Sequence, residues 1–353
     1  MAKELWKGNH AIAEAALRAG TKLFAGYPIT PQTEVGEWLS YREPQVEGFR
    51  FLQAENEMSA AHMLHGAGST GIRCMTSSSG PGFTLKLEAI GFLCANWVPA
   101  LFINVVRWGS GIGSLDSAQT DYLRDTRCGA NGDQRLIIYT PNSIQETIDL
   151  IYNAYEVAEK YRNPVEILTE GALGQMMEPV EFPPFKEGKK PDWAWDGSGR
   201  GRESYWGRPR LPEKPAAMKK KLAEIEANEQ RWENYMVEDA EYVFVAYGIP
   251  SRTTRAAVEK LREDGEKVGL IRPITAWPFP YKAFEACKEA KAFISVESTD
   301  TGQLIEDVAL ACKKKGYGNA PIYGLFTGQD FPVTKEVINF YHSAKAGNEK
   351  EVF

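Results

Sequence analysis

The sequence predicts an α/β protein built on parallel sheet. Through the first half, short apolar runs alternate with helix-like stretches, and the same alternation restarts near residue 240. Regular β-α alternation implies a sheet covered by helices on both faces. At 353 residues the chain is long enough for two such units with ordinary cores.

The elements follow in order. HAIAEAALRAG (10–20) reads as an amphipathic helix ending at Gly20. TKLFAG is a strand, and the GYPITP turn opens the next helix, with Thr30 as N-cap, Pro31 at the first helical position and Glu34 in the first turns. ENEMSAAHMLHGAG (55–68) is helical and rich in small residues. GIRCMTS is a strand, SSGPGF a break, and TLKLEAIGFLCAN a helix. VPALFINVV and RLIIYT are strands, SIQETIDLIYNAYEVAEKY a long helix, and NPVEILTE the closing strand. From residue 181 to 236 the composition turns to Pro, Gly, Trp and charge, an irregular connector whose tryptophans imply packing, followed by a charged helix with a solvated face. EYVFVAYG, KVGLIRP, AFISVES and PIYGLF are strands of a second unit, interleaved with RTTRAAVEKLREDG and TGQLIEDVALACKKKG as helices. The expected division is 1–180, 181–236 and 237–353, with no internal repeat of short period.

Composition narrows the function. Hydrophobic residues make 43% and charged residues 25%, as in a folded globular chain. A net charge of −6 gives nucleic-acid binding no electrostatic footing. No apolar run approaches membrane-spanning length, and MAKELWKGNH lacks a secretory h-region, so the expected location is cytoplasmic. The five cysteines (74, 94, 128, 287 and 312) form no CxxC pair. A local iron–sulfur or zinc site is therefore not expected, no metal is assigned to this chain, and the thiols read as reduced.

Sheets of this class bind ligands beyond the C-terminal ends of their strands. Tyr27, Ile29 and Thr30 follow one strand there; Ser77, Ser78, Ser79, Gly80 and Gly82 follow another; Arg107, Trp108, Gly109, Ser110 and Gly111 follow a third. A hydroxyl, small residues that admit a close backbone approach, and an arginine suit a small carboxylate. GSGIGS (109–114) is not the dinucleotide fingerprint, and neither a Walker motif nor a GxSxG elbow occurs. His62 and His65 lack ligand spacing to other His or Cys and read as packing residues.

Read together, GYPITP (from 26), QAENEMSAA (53), MTSSSGPGFTLKLE (75), NVVRWGSGIG (104) and YRNPVEILTEGALGQMMEPVEFP (161) resemble the α subunit of 2-oxoacid:ferredoxin oxidoreductases of the 2-oxoisovalerate and 2-oxoglutarate types. MVEDAEYVFVAYGIPSR and KVGLIRPITAWPFP extend the resemblance over nearly the whole chain.

The resemblance implies a thiamine diphosphate pyrimidine-binding domain followed by a smaller, transketolase-C-like α/β domain. Glu57 falls on the family's cofactor-activating glutamate, with Glu55 as the runner-up carboxylate. Thr30 and Arg107 would take the substrate carboxylate, beside Tyr27 and Trp108. Pro28, Ile29, Ser79 and Gly80 are expected around the cofactor. The family's Mg²⁺-diphosphate pattern, GDG…N, is missing, so a β subunit is expected to carry diphosphate and Mg²⁺. Partner γ and ferredoxin-like δ subunits are expected to carry iron–sulfur clusters. The implied reaction takes a 2-oxo acid and CoA to acyl-CoA, CO₂ and reduced ferredoxin. Alternatives are a non-oxidative 2-oxo acid decarboxylase subunit and a catalytically silent scaffold. Trp108 stands where the family has a small residue, and Asn131, in CGANGD, where it has a histidine. Both are expected to face the site. A branched-chain acid, 2-oxoglutarate and an aryl-glyoxylate all remain open as substrate.

Overall fold

The computed structural model describes residues 3–127, 129–195, 197 and 214–353. The first unit opens with β1 (Glu4–Lys7) and α1 (Gly8–Arg18), and Gly20 at φ +89° turns the chain into β2 (Leu23–Gly26). Then follow α2 (Thr33–Arg42), β3 (Arg50–Gln53), α3 (Glu57–Ser69), β4 (Cys74–Ser78), the short α4 (Gly80–Thr84), α5 (Leu87–Asn96) and β5 (Leu101–Val106). The one-turn α6 (Tyr122–Thr126) leads to β6 (Ile137–Tyr139), α7 (Ile144–Tyr161), β7 (Val165–Glu170), α8 (Gly171–Gln175) and β8 (Met177–Val180). Helix α7 is well specified: Ser143 caps it by accepting from the Glu146 amide.

The second unit comprises α9 (Lys214–Asn228), β9 (Trp232–Tyr235), β10 (Tyr242–Val245), α10 (Gly248–Glu263), β11 (Val268–Pro273), β12 (Thr275–Trp277), β13 (Ala292–Glu297), α11 (Leu304–Lys315), β14 (Ile322–Phe326) and α12 (Thr334–Lys345). Its sheet runs β14-β13-β10-β11-β9. The first unit's sheet has seven strands, β12-β6-β7-β5-β4-β2-β3.

Every neighbouring pair in the two sheets is parallel except at two edges, where β12 pairs with β6 and β9 with β11 in antiparallel fashion. A separate antiparallel ribbon joins β1 to β8. Residues 275–277 thus belong to the first sheet although they lie inside the second unit in sequence. The central strands β5 and β7 are buried at every position, as strands covered on both faces must be. Alternation along β10 divides its side chains: Val243 and Val245 join the core shared with the first unit, while Phe244 and Ala246 build the second unit's outer core with Val258, Leu261 and Tyr341.

The connector packs as its composition implies. Phe182 meets Trp6 edge-on, the Arg18 guanidinium reaches the Pro183 carbonyl, and Arg162 stacks 4.7 Å from the Trp193 ring centre. Helix α9 is not a wholly solvated face: Lys221 and Ile225 are buried, with the Lys221 ammonium 4.7 Å from the Trp97 ring centre. Trp195 is exposed, and Trp206 lies outside the described residues.

Candidate active site

The GYPITP turn follows β2 but does not cap the next helix as the sequence predicts. Helix α2 begins at Thr33, with Gln32 at the N-cap position and no side-chain cap. The Gln32 amide closes a turn onto the Ile29 carbonyl, which delays the helix start. The Pro31 carbonyl instead accepts from the Asn9 and Gln175 side chains, at 2.6 and 3.0 Å. Glu34 is in the first turn, but its carboxylate serves Lys7, Asn9 and Gln175. Partial burial pushes its pKa up, and these partners more than offset that, leaving it below the usual value.

Thr30 and Arg107 do come together, through the backbone. Arg107 follows β5, and its guanidinium donates to the Thr30 carbonyl at 2.9 Å and the Ile112 carbonyl at 2.7 Å. Its Nε is buried and has no partner among the described residues. The Thr30 side chain is exposed. Gly80, at φ +43°, lies against the same guanidinium: a Cβ there would sit 3.4 Å from Arg107 Nε. Trp108 points toward the second unit, its indole N–H 3.4 Å from Asp300.

Glu57 opens α3, where Asn56 caps the helix by accepting from the Ser59 amide. The Glu57 side chain is buried and reaches α4: a Cβ on Gly82 would stand 2.4 Å from Glu57 Oε1 and 2.6 Å from Ser78 Oγ. Glycine at 82 therefore makes the space the carboxyl group occupies. Glu55 is exposed and accepts from the Ser59 hydroxyl at 3.3 Å. Ser78 and Ser79 are fully buried, and neither hydroxyl has a partner among the described residues. Such groups are costly in a closed protein and ordinary where a ligand will lie.

Two clefts border this region. Tyr27, Pro28 and Gln32 line one of about 520 Å³ between α2 and β3. Gly80, Pro81, Gly109, Asp121, Arg124 and Asp300 line one of about 640 Å³ at the junction of the units. Asn131 stands apart from both, in a cleft of about 870 Å³ between α5 and α9. The two departures from the family pattern are therefore separated, and only Trp108 adjoins Arg107.

Sequence reasoning did not single out the residues that support this region. Arg124 donates to the Gly80 carbonyl at 2.9 Å, lies over the Phe83 ring, and pairs with Asp121 and Asp125. Burial holds the Asp121 carboxyl above its ordinary pKa against the pull of Arg124, and burial drives Glu166 well up. Gln119 reaches Glu170 at 2.8 Å and the Tyr247 carbonyl at 3.1 Å, while exchanging backbone and side-chain bonds with Ser298. Lys86 is fully buried behind Glu57. A lysine amid the apolar positions of TLKLEAIGFL was the one available signal.

Two parallel-sheet units with polar groups gathered at strand ends define a ligand-binding α/β protein. Residues 14–243 match the family described as "Pyruvate flavodoxin/ferredoxin oxidoreductase, thiamine diP-bdg", and residues 240–335 the "Pyruvate:ferredoxin oxidoreductase core domain II". The chain belongs to the 2-oxoacid:ferredoxin oxidoreductase family. It is 44% identical to ketoisovalerate oxidoreductase subunit VorB of Methanothermobacter marburgensis, over 88% of this chain and 90% of that one. It is 35% identical to 2-oxoglutarate synthase subunit KorA of Methanocaldococcus jannaschii, over 89% and 93%. Among solved structures, the 2-oxoglutarate:ferredoxin oxidoreductase of Magnetococcus marinus, with 2-oxoglutarate, coenzyme A and succinyl-CoA bound, shares the fold at TM-score 0.83 and 23% identity. The match covers 97% of this chain and 65% of that one. Among the described residues, no helix is long and apolar enough to cross a membrane.

The residues present fit thiamine diphosphate. The unpartnered hydroxyls of Ser78 and Ser79, the free Arg107 Nε and the Gly82 space beneath Glu57 lie on consecutive strand ends of one sheet.

Proposed function

We propose that this chain holds the pyrimidine half of thiamine diphosphate and the carboxylate of a 2-oxo acid. The observation that carries the proposal is the Glu57 carboxyl group, buried at the start of α3 and accommodated by Gly82. When bound, the cofactor would supply the carbanion chemistry for decarboxylation of a 2-oxo acid. Glu57 would hold or give up a proton at the pyrimidine N1′. Arg107 and Thr30 orient the substrate carboxylate, with Trp108 and Tyr27 as walls; Pro28, Ile29, Ser79 and Gly80 bring backbone close to the cofactor. Rigid positioning of this kind is a large part of rate enhancement.

The substrate we favour is a 2-oxo acid with an apolar side chain, branched or aryl. The junction cleft offers one further guanidinium, Arg124, and Asp121 and Asp125 already pair with it. A second carboxylate, as in 2-oxoglutarate, would meet Asp121 and Asp300 instead. The ketoisovalerate relative supports the same choice.

Turnover on this reading needs a partner β subunit with the diphosphate and Mg²⁺ site, and γ and δ subunits whose iron–sulfur clusters pass electrons to ferredoxin. CoA takes the acyl group. Residues 1–180 form the pyrimidine-binding domain, 181–236 the connector, whose β9 lends an edge strand to the second sheet, and 237–353 the transketolase-C-like domain. The buried thiols of Cys74, Cys287 and Cys312 suit a reducing cytoplasm.

The test is CoA-dependent reduction of a viologen dye by the complex purified through this chain. The panel is pyruvate, 2-oxoglutarate, 2-oxoisovalerate and an aryl-glyoxylate. Activity with the apolar acids, nearly abolished by Glu57→Gln, is expected. Acceptor-independent CO₂ release would indicate a decarboxylase, and full activity of Glu57→Gln a scaffold.

A further inference from the structure

Strands β2 and β4 are neighbours, with Leu23 beside Cys74 and Phe24 beside Met75. Past that point their partners differ. β2 runs on beside β3 as far as Gly26 and Gln53, and β4 beside β5 as far as Ser78 and Asn104. The helices that follow diverge too, α2 packing on α1 and α5 on α3. Neighbouring strands that part in this way open a crevice at their C-terminal ends, where sheets of this class take ligands. The GYPITP turn forms one lip of the crevice, and Ser77–Ser79 form the other.

The Gln32 side chain links the two lips. It is buried, its amide nitrogen donates to the Tyr27 carbonyl at 3.2 Å, and its amide oxygen accepts from the Ser77 hydroxyl at 2.5 Å. A carboxamide is a group that can serve a carbonyl and a hydroxyl at once in this sense. Gln32 holds the N-cap position of α2, where Ser, Thr, Asp or Asn would satisfy a helix amide, and its side chain does not cap. A methionine would fill the same volume with no buried polar group to satisfy. Neither helix formation nor packing accounts for an amide here, and the bridge does.

We infer that Gln32 is a positioning residue that fixes the GYPITP turn against the end of β4, and so holds Thr30 in register with Ser78 and Ser79. The inference rests on the roles proposed above for Thr30 and Ser79. The contacts close a ring. Arg107, after β5, donates to the Thr30 carbonyl. Gly80 lies against the Arg107 guanidinium, and the chain runs back from Gly80 through Ser79 and Ser78 to Ser77. Ser77 returns to the turn through Gln32. Without Gln32 the ring opens: Thr30 keeps its tie to Arg107, and its spacing from the serines is no longer set. A residue that only places binding groups changes KM more than kcat.

The test uses dye reduction by the complex purified through this chain, with the panel acid of highest kcat/KM. Gln32→Met, Ser77→Ala and the double variant are compared with wild type. Val35→Ala is the control for stability, since Val35 is buried in α2 and its truncation leaves the bridge intact. Gln32→Met and Ser77→Ala are each expected to raise KM by about tenfold, with kcat held within about threefold. The double variant is expected to be no worse than the worse single variant, because both cut the same link. Val35→Ala is expected to lower the melting temperature of the full chain as far as either, with KM within about twofold of wild type. Lowered melting temperatures with unchanged KM in both bridge variants would make the bridge structural and overturn the inference. Multiplied effects in the double variant, or an equal rise of KM in Val35→Ala, would also overturn it. Should Gln32→Met fail to fold, Ser77→Ala carries the KM criterion alone. Full turnover in Glu57→Gln would overturn the reading of the site and this inference with it, whereas loss of turnover there with unchanged KM here would overturn the inference alone.

Discussion

The carboxylate of Glu170, at the end of β7, occupies the space that a side chain on Gly248 would need. A Cβ at Gly248 would stand 1.7 Å from Glu170 Oε1. Gly248 opens α10 of the second unit at φ +58°, and the Ile249 amide donates to the same carboxylate oxygen at 3.3 Å. One unit thus places a carboxyl group against the first turn of the other unit's helix, where the helix dipole welcomes it.

Gly248→Ala should loosen this joint. The new methyl would collide with a fully buried carboxylate, and alanine would be strained at this φ. The expected loss is about 2–4 kcal/mol, from those two mechanisms together. Denaturant unfolding of the full chain measures it.

Glu170 also makes stability depend on pH. Burial raises its pKa from 4.5 to about 7, against the bonds from Gln119 and Ile249. Between those values the native state binds a proton that the unfolded chain has released. Stability therefore falls as pH rises through this window, and the penalty is complete above about pH 7, amounting to roughly 3 kcal/mol at most. Glu170→Gln should flatten the profile, raising the melting temperature at pH 8 and leaving it unchanged at pH 4.5.

Gly82→Ala should separate folding from function. Position 82 lies within helix α4, where alanine is the better helix former. The collision falls on the end of the Glu57 side chain, which can swing away. Stability should change by less than about 1 kcal/mol, while kcat falls by about a hundredfold or more as the carboxyl group leaves its position. Chemical unfolding and dye reduction on the same preparation compare the two.

Arg107→Lys tests the carboxylate clamp. A lysine ammonium lacks the planar fork that spans the Thr30 and Ile112 carbonyls while presenting an edge to the substrate. KM for the 2-oxo acid should rise by about tenfold or more, read from initial rates across a substrate range.

Much of the fold is legible because its signals are local. The apolar runs of β5 and β7 and Gly20 after α1 mark their elements in sequence. The antiparallel strands β1, β8, β9 and β12 are four residues or fewer, and their pairing depends on where distant segments meet. Position along the chain says nothing of that. Thr30 and Pro31 carry a helix-start pattern, yet the backbone turns first, because Asn9 and Gln175 claim the Pro31 carbonyl from outside the segment. For the site, Glu57, Thr30 and Arg107 stand out through the resemblance. Gln119, Arg124 and Lys86 do not, because their roles arise only from contacts across the sheet and between the units.

Strand β12 ties the two halves into one polymer knotwork of dependence. A truncated protein ending at residue 236 would lack Thr275–Trp277 and leave the outer edge of β6 bare. Such an edge invites pairing with other chains. Expressed alone, the first half is a candidate for aggregation, so attempts to reconstitute the enzyme from separately produced halves face an obstacle at a strand of three residues.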